Sequence, residues 1–230
     1  MLHQVTVIAF DLDDTLWPCG PTLARAETLL YEWLDLNYPR ITRSFDPDQM
    51  VEQRHEFSRR APHYRVDFTA LRQDFLQHLG DSHDYDGDQV SEHGFQVFFD
   101  ARQQVEFYDD VMPCLENLQQ RYRLGVISNG NASVEHVGLG HLVEHSVGAS
   151  DLQVAKPDPR IFEALAARFA TPLHEIVYVG DHPEYDVVGP RDAGLQAIWL
   201  NRENQPWPEN LPEPDHQISD LHQLSALFSD

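Results

Sequence analysis

Carboxylates, a serine and glycines recur in this chain where apolar runs end. Asp11-Leu12-Asp13-Asp14-Thr15 follows the run at 5–10, Ser128-Asn129-Gly130 follows 124–127, and Gly180-Asp181, with Asp186 beyond it, follows 176–179. Lys156-Pro157 lies between the second and third of these, and Lys156 is the only lysine in the chain. Unpartnered ionised carboxylates are costly to bury, so a cluster at a strand end serves a metal or a reaction. Side chains alternate along extended backbone, so Asp11 and Asp13 point the same way if the strand geometry persists past Phe10. Asp11, Asp13 and Asp181 offer hard oxygen ligands, which suit Mg²⁺ and give nothing soft for zinc or copper. An anionic group can then enter: the Ser128 hydroxyl, the N–H groups of Asn129 and Gly130 and the Lys156 ammonium can surround a phosphoryl group. A carboxylate within that cradle can attack phosphorus, and a second one two residues on can protonate the leaving oxygen and later deprotonate water. Taken singly, each segment has a plainer reading as a turn, a helix cap or a surface lysine. Together they describe one site for phosphoryl transfer.

These residues need a scaffold that brings distant loops to one edge. Runs rich in Val and Ile at 5–10, 123–127, 176–179 and 196–200, with a weaker one at 145–148, read as buried strands. Helical patterns alternate with them, clearest at 159–169, where Asp158 can cap, Pro159 takes the first turn and Ile161, Phe162, Leu165 and Phe169 share a face. Strand alternating with helix predicts an α/β fold with a Rossmann-like parallel sheet, whose ligands sit beyond the carboxyl ends of the strands. Residues 16–105 break the alternation with four helical stretches, at about 21–37, 47–60, 67–79 and 89–105, the second opened by the capping box Asp46-Pro47-Asp48-Gln49. The expected organisation is a core of 1–15 and 106–230 with an inserted helical-bundle cap of 16–105, a lid over the site.

Composition narrows the function classes. A formal net charge of −22 over 230 residues argues against gripping nucleic acid or an anionic membrane surface. Two cysteines, Cys19 and Cys114, make no disulfide framework. No run is long enough for a signal or a membrane span, so a cytoplasmic protein is expected.

The four segments resemble the motifs of the haloacid dehalogenase superfamily of phosphohydrolases, in the branch with a helical cap after the first motif. Asp11-x-Asp13-x-Thr15 matches the first motif, Ser128-Asn129-Gly130 the second, the stretch from Lys156-Pro157 to Phe162 the third, and Gly180-Asp181 with Asp186 the fourth. The resemblance implies Asp11 as nucleophile and Asp13 as acid/base. It implies phosphate binding by Thr15, Ser128, Asn129 and Lys156, and Mg²⁺ held by Asp11, the Asp13 backbone carbonyl and Asp181, with Asp186 in support. Ser128-Asn129-Gly130-Asn131 followed by Gly138-Leu139-Gly140 is also similar to bacterial phosphatases acting on flavin mononucleotide and on the phosphorylated ribitylamino-uracil precursor of riboflavin. The expected partner is thus a small phosphorylated metabolite; a sugar-phosphate phosphatase and a phosphoglucomutase-like phosphotransferase are the alternatives. A dehalogenase has no leaving alkoxide to protonate, and a silent binding protein has no use for both Asp11 and Asp13.

Two features depart from that pattern. His182, Pro183 and Glu184 follow Asp181 where small or polar residues are commoner, and Pro190 falls inside the following helix, which must kink or begin late. In the cap, Trp17, Tyr31, Trp33, Tyr38, Tyr64, Phe68, Phe98 and Phe99 either offer a stacking surface for a flat ring or pack the lid's interior. Arg54, Arg59, Arg60 and Arg65 either steer an anion or form a solvated helix face.

Overall fold

In the computed structural model, which describes residues 4–228, the apolar runs form one parallel sheet. Its strands are β1 (Val7–Phe10), β2 (Arg123–Ser128), β3 (His145–Gly148), β4 (Ile176–Gly180), β5 (Gln196–Leu200) and β6 (Gln217–Ile218), in the order β3-β2-β1-β4-β5-β6. All four β1 residues are buried, which is why this strand reads as a continuous apolar run rather than an alternating one. Phe10 lies level with Val126 on one side and Val179 on the other, so the chain leaves β1, β2 and β4 at nearly the same height. Connections run to opposite sides of β1 at this point, the place where such sheets bind ligands. The five strands read from the sequence are present. β6 escaped that reading because two residues carry no periodicity.

Helices cover the sheet. Pro159–Phe169 is capped by Asp158, whose side chain accepts from the Arg160 N–H at 3.0 Å, and it buries Ile161, Phe162, Leu165, Ala166 and Phe169. The approach is close: a Cβ on Gly125 of β2 would stand 2.7 Å from the Phe169 ring. Among the described residues no helix is long and apolar enough to cross a membrane.

The chain divides into two compact units, Met1–Pro18 with Glu106–Asp230, and Cys19–Val105. The second unit is built from helices Cys19–Asn37, Pro39–Thr42, Pro47–Ser58, Phe68–Ser82 and Gly87–Arg102. Its core includes Leu30, Leu34, Phe57, Phe75, Leu79 and Phe98. Phe68–Ser82 and Gly87–Arg102 meet at glycines, where a Cβ on Gly80 would lie 2.7 Å from the Gly87 Cα. The Asp46/Gln49 capping box is formed, with Pro47 in the first turn. Glu27 accepts two bonds from Arg72, at 2.9 and 2.7 Å, and one from Arg54 at 2.8 Å. Tyr31, Trp33, Tyr38, Tyr64 and Phe98 pack into this unit's own core, while Phe68 is exposed. Of the arginine patch, Arg54 pairs with Glu27, Arg59 with Glu56, and Arg60 lies over the Phe57 ring.

Candidate active site

Residues that follow β1, β2 and β4 converge around Lys156. Its ammonium donates to Asp11 Oδ1 at 2.6 Å, to Asp186 Oδ1 at 2.6 Å and to the Tyr178 hydroxyl at 3.0 Å. Those contacts use all three donors of an ammonium. Tyr178, on β4, donates in turn to the Ile127 carbonyl at 2.8 Å. The Lys156 backbone is tied to Asn129 twice: its N–H donates to Asn129 Oδ1 at 2.8 Å, and its carbonyl accepts from Asn129 Nδ2 at 3.1 Å. Asn129 thus seats the lysine loop. Ser128 is buried and its Oγ accepts from the Gly130 N–H at 3.0 Å, leaving the hydroxyl proton to donate.

Carboxylate oxygens of Asp11, Asp181 and Asp186 lie within 4.8 Å of one another. Asp181 Oδ1 accepts from the Thr15 hydroxyl at 3.0 Å, and its carbonyl accepts from Trp199 Nε1 at 2.7 Å. Asp186 Oδ2 accepts from the His182 N–H at 2.9 Å. The Asp13 carboxylate has a different partner, its Oδ1 accepting from Trp17 Nε1 at 2.9 Å. Trp17 is fully buried.

The turn after β4 explains the unusual residues there. Pro183–Val188 is a π-helical turn that passes directly into the α-helix Gly189–Ala193, so Pro190 falls at the junction of the two rather than inside a regular α-helix. His182 Nδ1 accepts from the Glu184 and Tyr185 N–H groups. This turn folds Asp186 back over β4 so tightly that a Cβ on Gly180 would lie 2.5 Å from the Asp186 Cβ and Cγ. Beside Asp181, within the same unit, a cavity of about 320 Å³ opens between Asp14, Tyr108, His182, Trp199 and Arg202.

Charge in this cluster does not balance. Burial pushes the Asp11 carboxyl well above its ordinary pKa, with Lys156 opposing and Asp186 and Asp181 reinforcing. Burial, and then Asp186, pushes Asp181 up to about 7. Burial alone would lower Lys156, but Asp11 and Asp186 hold it well above its ordinary value, fully charged. Three carboxylates face one ammonium, a surplus that a divalent cation with a taste for hard oxygens matches in sign, magnitude and chemistry. The residues present fit Mg²⁺.

Residues 5–194 match the haloacid dehalogenase-like hydrolase family. The chain belongs to that family. Among its members, the chain is 28% identical to the 5-amino-6-(5-phospho-D-ribitylamino)uracil phosphatase YigB of Escherichia coli, over 99% of this chain and 98% of that one. It is 29% identical to the phosphoserine phosphatase of Thermus thermophilus, over 56% of this chain and 54% of that one. Among solved structures it is similar to a 2-haloacid dehalogenase from Pseudomonas syringae pv. Tomato, with a TM-score of 0.90 and 34% identity over 98% of each chain. The haloacid dehalogenase-like fold thus hosts relatives named for two reactions, phosphatase and dehalogenase, and both are hydrolases.

Three contributors lie outside the sequence motifs. Tyr178 had a faint signal, as the one residue with a polar tip in an otherwise aliphatic strand, where a buried hydroxyl needs partners. Asp110 and Arg202, which bond to each other, carry no local signal at all.

Proposed function

We propose that this protein is a Mg²⁺-dependent phosphomonoesterase that hydrolyses a small phosphorylated metabolite through an aspartyl-phosphate on Asp11. The observation that carries this reading is the pair of buried carboxylates, Asp11 and Asp186, that share a single ammonium, with half-buried Asp181 clustered beside them. A haloacid is itself a carboxylate, and a cluster with surplus negative charge repels it. A phosphate ester meets the same surplus together with the cation that offsets it.

Lys156 holds Asp11 Oδ1, which fixes the carboxylate's rotation and leaves Oδ2 to attack phosphorus. As that O–P bond forms, the bond from phosphorus to the ester oxygen breaks, and Asp13 gives its proton to the departing alkoxide. Asp13 then takes a proton from water, whose oxygen attacks phosphorus; the bond to Asp11 breaks and inorganic phosphate leaves. The Ser128 hydroxyl donates to a phosphoryl oxygen, and Thr15 and Asn129 assist by orienting Asp181 and Lys156. With its donors engaged by protein, Lys156 acts through charge and orientation. Asp11, Asp181 and the Asp13 carbonyl, with Asp186 in support, would hold Mg²⁺, which when bound neutralises charge on the transferring group.

We assign catalysis to 1–15 and 106–230, and substrate selection to 16–105 as a helical cap. Likeness to YigB over 99% of the chain supports a riboflavin-pathway pyrimidine phosphate as substrate, and the resemblance of Ser128-Asn129-Gly130-Asn131 and Gly138-Leu139-Gly140 to flavin mononucleotide phosphatases adds that nucleotide as a second candidate. Purified protein is expected to release phosphate from an aryl phosphate only with Mg²⁺, and faster from the right metabolite in a panel that includes these two and common sugar phosphates. Asp11→Asn should abolish the release. Chloride release from 2-chloropropionate without phosphatase activity would replace this reading by the dehalogenase one.

A further inference from the structure

Arg202 leaves the end of β5 and reaches back to the loop after β1, 187 positions earlier in the chain. Its Nε and Nη2 donate to the Thr15 carbonyl at 3.1 and 3.0 Å, and its Nη1 and Nη2 donate to the two carboxylate oxygens of Asp110 at 2.8 and 3.0 Å. Asp110 is anchored from a third direction, its Oδ2 accepting from the Leu221 N–H at 2.8 Å. The pair is largely buried, with side-chain exposures of 14% and 7%, and the guanidinium lies 4.1 Å over the Tyr108 ring. Nearly every guanidinium donor is spent on protein, so Arg202 has little left to offer a ligand in the cavity it borders. The residue it grips matters more. Thr15 closes the loop that carries Asp11 and Asp13, and the Thr15 hydroxyl holds Asp181.

We propose that Arg202 is a positioning residue for the phosphatase reaction: clamped by Asp110, it holds the Thr15 carbonyl and thereby sets Asp181 against the nucleophile loop. The inference rests on the phosphatase reading above. A planar fork serves a carbonyl and a carboxylate at once, and a point-charge ammonium cannot do so at the same distances.

The test compares wild type, Arg202→Lys and Arg202→Ala on an aryl phosphate with saturating Mg²⁺, well below each protein's melting temperature. The expected result is a kcat at least tenfold lower in both variants with KM within twofold. Millimolar guanidinium should recover part of the loss in Arg202→Ala and none in Arg202→Lys. Calorimetric titration of the chelator-treated proteins with Mg²⁺ alone should show at least fivefold weaker binding in both. A kcat within twofold of wild type in folded variants overturns the proposal and leaves Arg202 a tie for the C-terminal segment; so does a loss of kcat that guanidinium leaves untouched while Mg²⁺ binding stays normal. Should Arg202→Ala not fold, Arg202→Lys decides by its kcat and Mg²⁺ affinity. Wild type that releases no phosphate refutes the phosphatase reading instead, and the Mg²⁺ titrations still report on the clamp.

Discussion

Lys156 stabilises the metal-free cluster and opposes any cation that enters it, and the two effects separate on mutation. Lys156→Met leaves Asp11 and Asp186 buried without their shared ammonium. Breaking a buried pair at one partner costs roughly 3–5 kcal/mol, so urea unfolding in chelator should show a loss of that order. Added Mg²⁺ should then raise the melting temperature of the variant more than that of wild type, because the cation meets three carboxylates with no competing charge. An equal or smaller response would mean that the ammonium and the cation do not share a field. Asp13→Asn should lower kcat for phosphate release by about 10²–10⁴, the usual worth of general acid/base help, with little change in fold because an asparagine oxygen can still accept from Trp17 Nε1. At this scale the sequence was most informative about the side chains that meet at the candidate site. Asp11, Asp181, Asp186 and Lys156 were legible because carboxylates and a lone lysine at strand ends have few other uses. The residues that hold them were not, since Tyr178 and Arg202 act through contacts 22 or more positions away.

Elements follow their local chemistry until tertiary packing overrides it. Asp46, Asp158 and Pro47 announce helix starts in the sequence, and the helices start there. The π-helical turn at Pro183–Val188 could not be read, because nothing local distinguishes it from an α-helix interrupted by proline. Its shape depends on Gly180. Gly180→Ala places a methyl 2.5 Å from Asp186, so that side chain must move off Lys156. About 1–3 kcal/mol of stability should be lost to overpacking, and phosphate release should fall with it. In the helical unit, Glu27 joins Cys19–Asn37 to its neighbours through Arg72 and Arg54. Burial pushes its carboxyl up, but the two guanidinium groups win and hold it below 4.5. A depressed carboxyl stabilises the fold above its unfolded pKa, and that stability is lost as pH falls through the folded one. Glu27→Gln should therefore be less stable than wild type by about 2 kcal/mol near neutral pH, allowing for partial exposure of the pair. The gap should shrink below pH 4.5. A gap that stays constant with pH would assign the loss to packing rather than charge.

Across the whole molecule the charge is distributed against the proposed substrate class. The net charge is −22, and residues 16–105 carry −6 of it, leaving −16 on the segments that hold the motifs. A phosphate monoester arrives as an anion, so long-range repulsion slows its encounter, while the favourable interactions act only within the site. Screening reaches about 10 Å at 0.1 M salt, which weakens the long-range field far more than contacts at the buried cluster. Enzymes that steer anions with basic clefts lose efficiency as salt rises, and this protein should do the reverse. With Mg²⁺ fixed, kcat/KM for a doubly charged phosphate ester should rise about two- to tenfold between 0.01 and 0.2 M KCl, with kcat nearly constant. A fall over the same range would show that a local positive field outweighs the global charge.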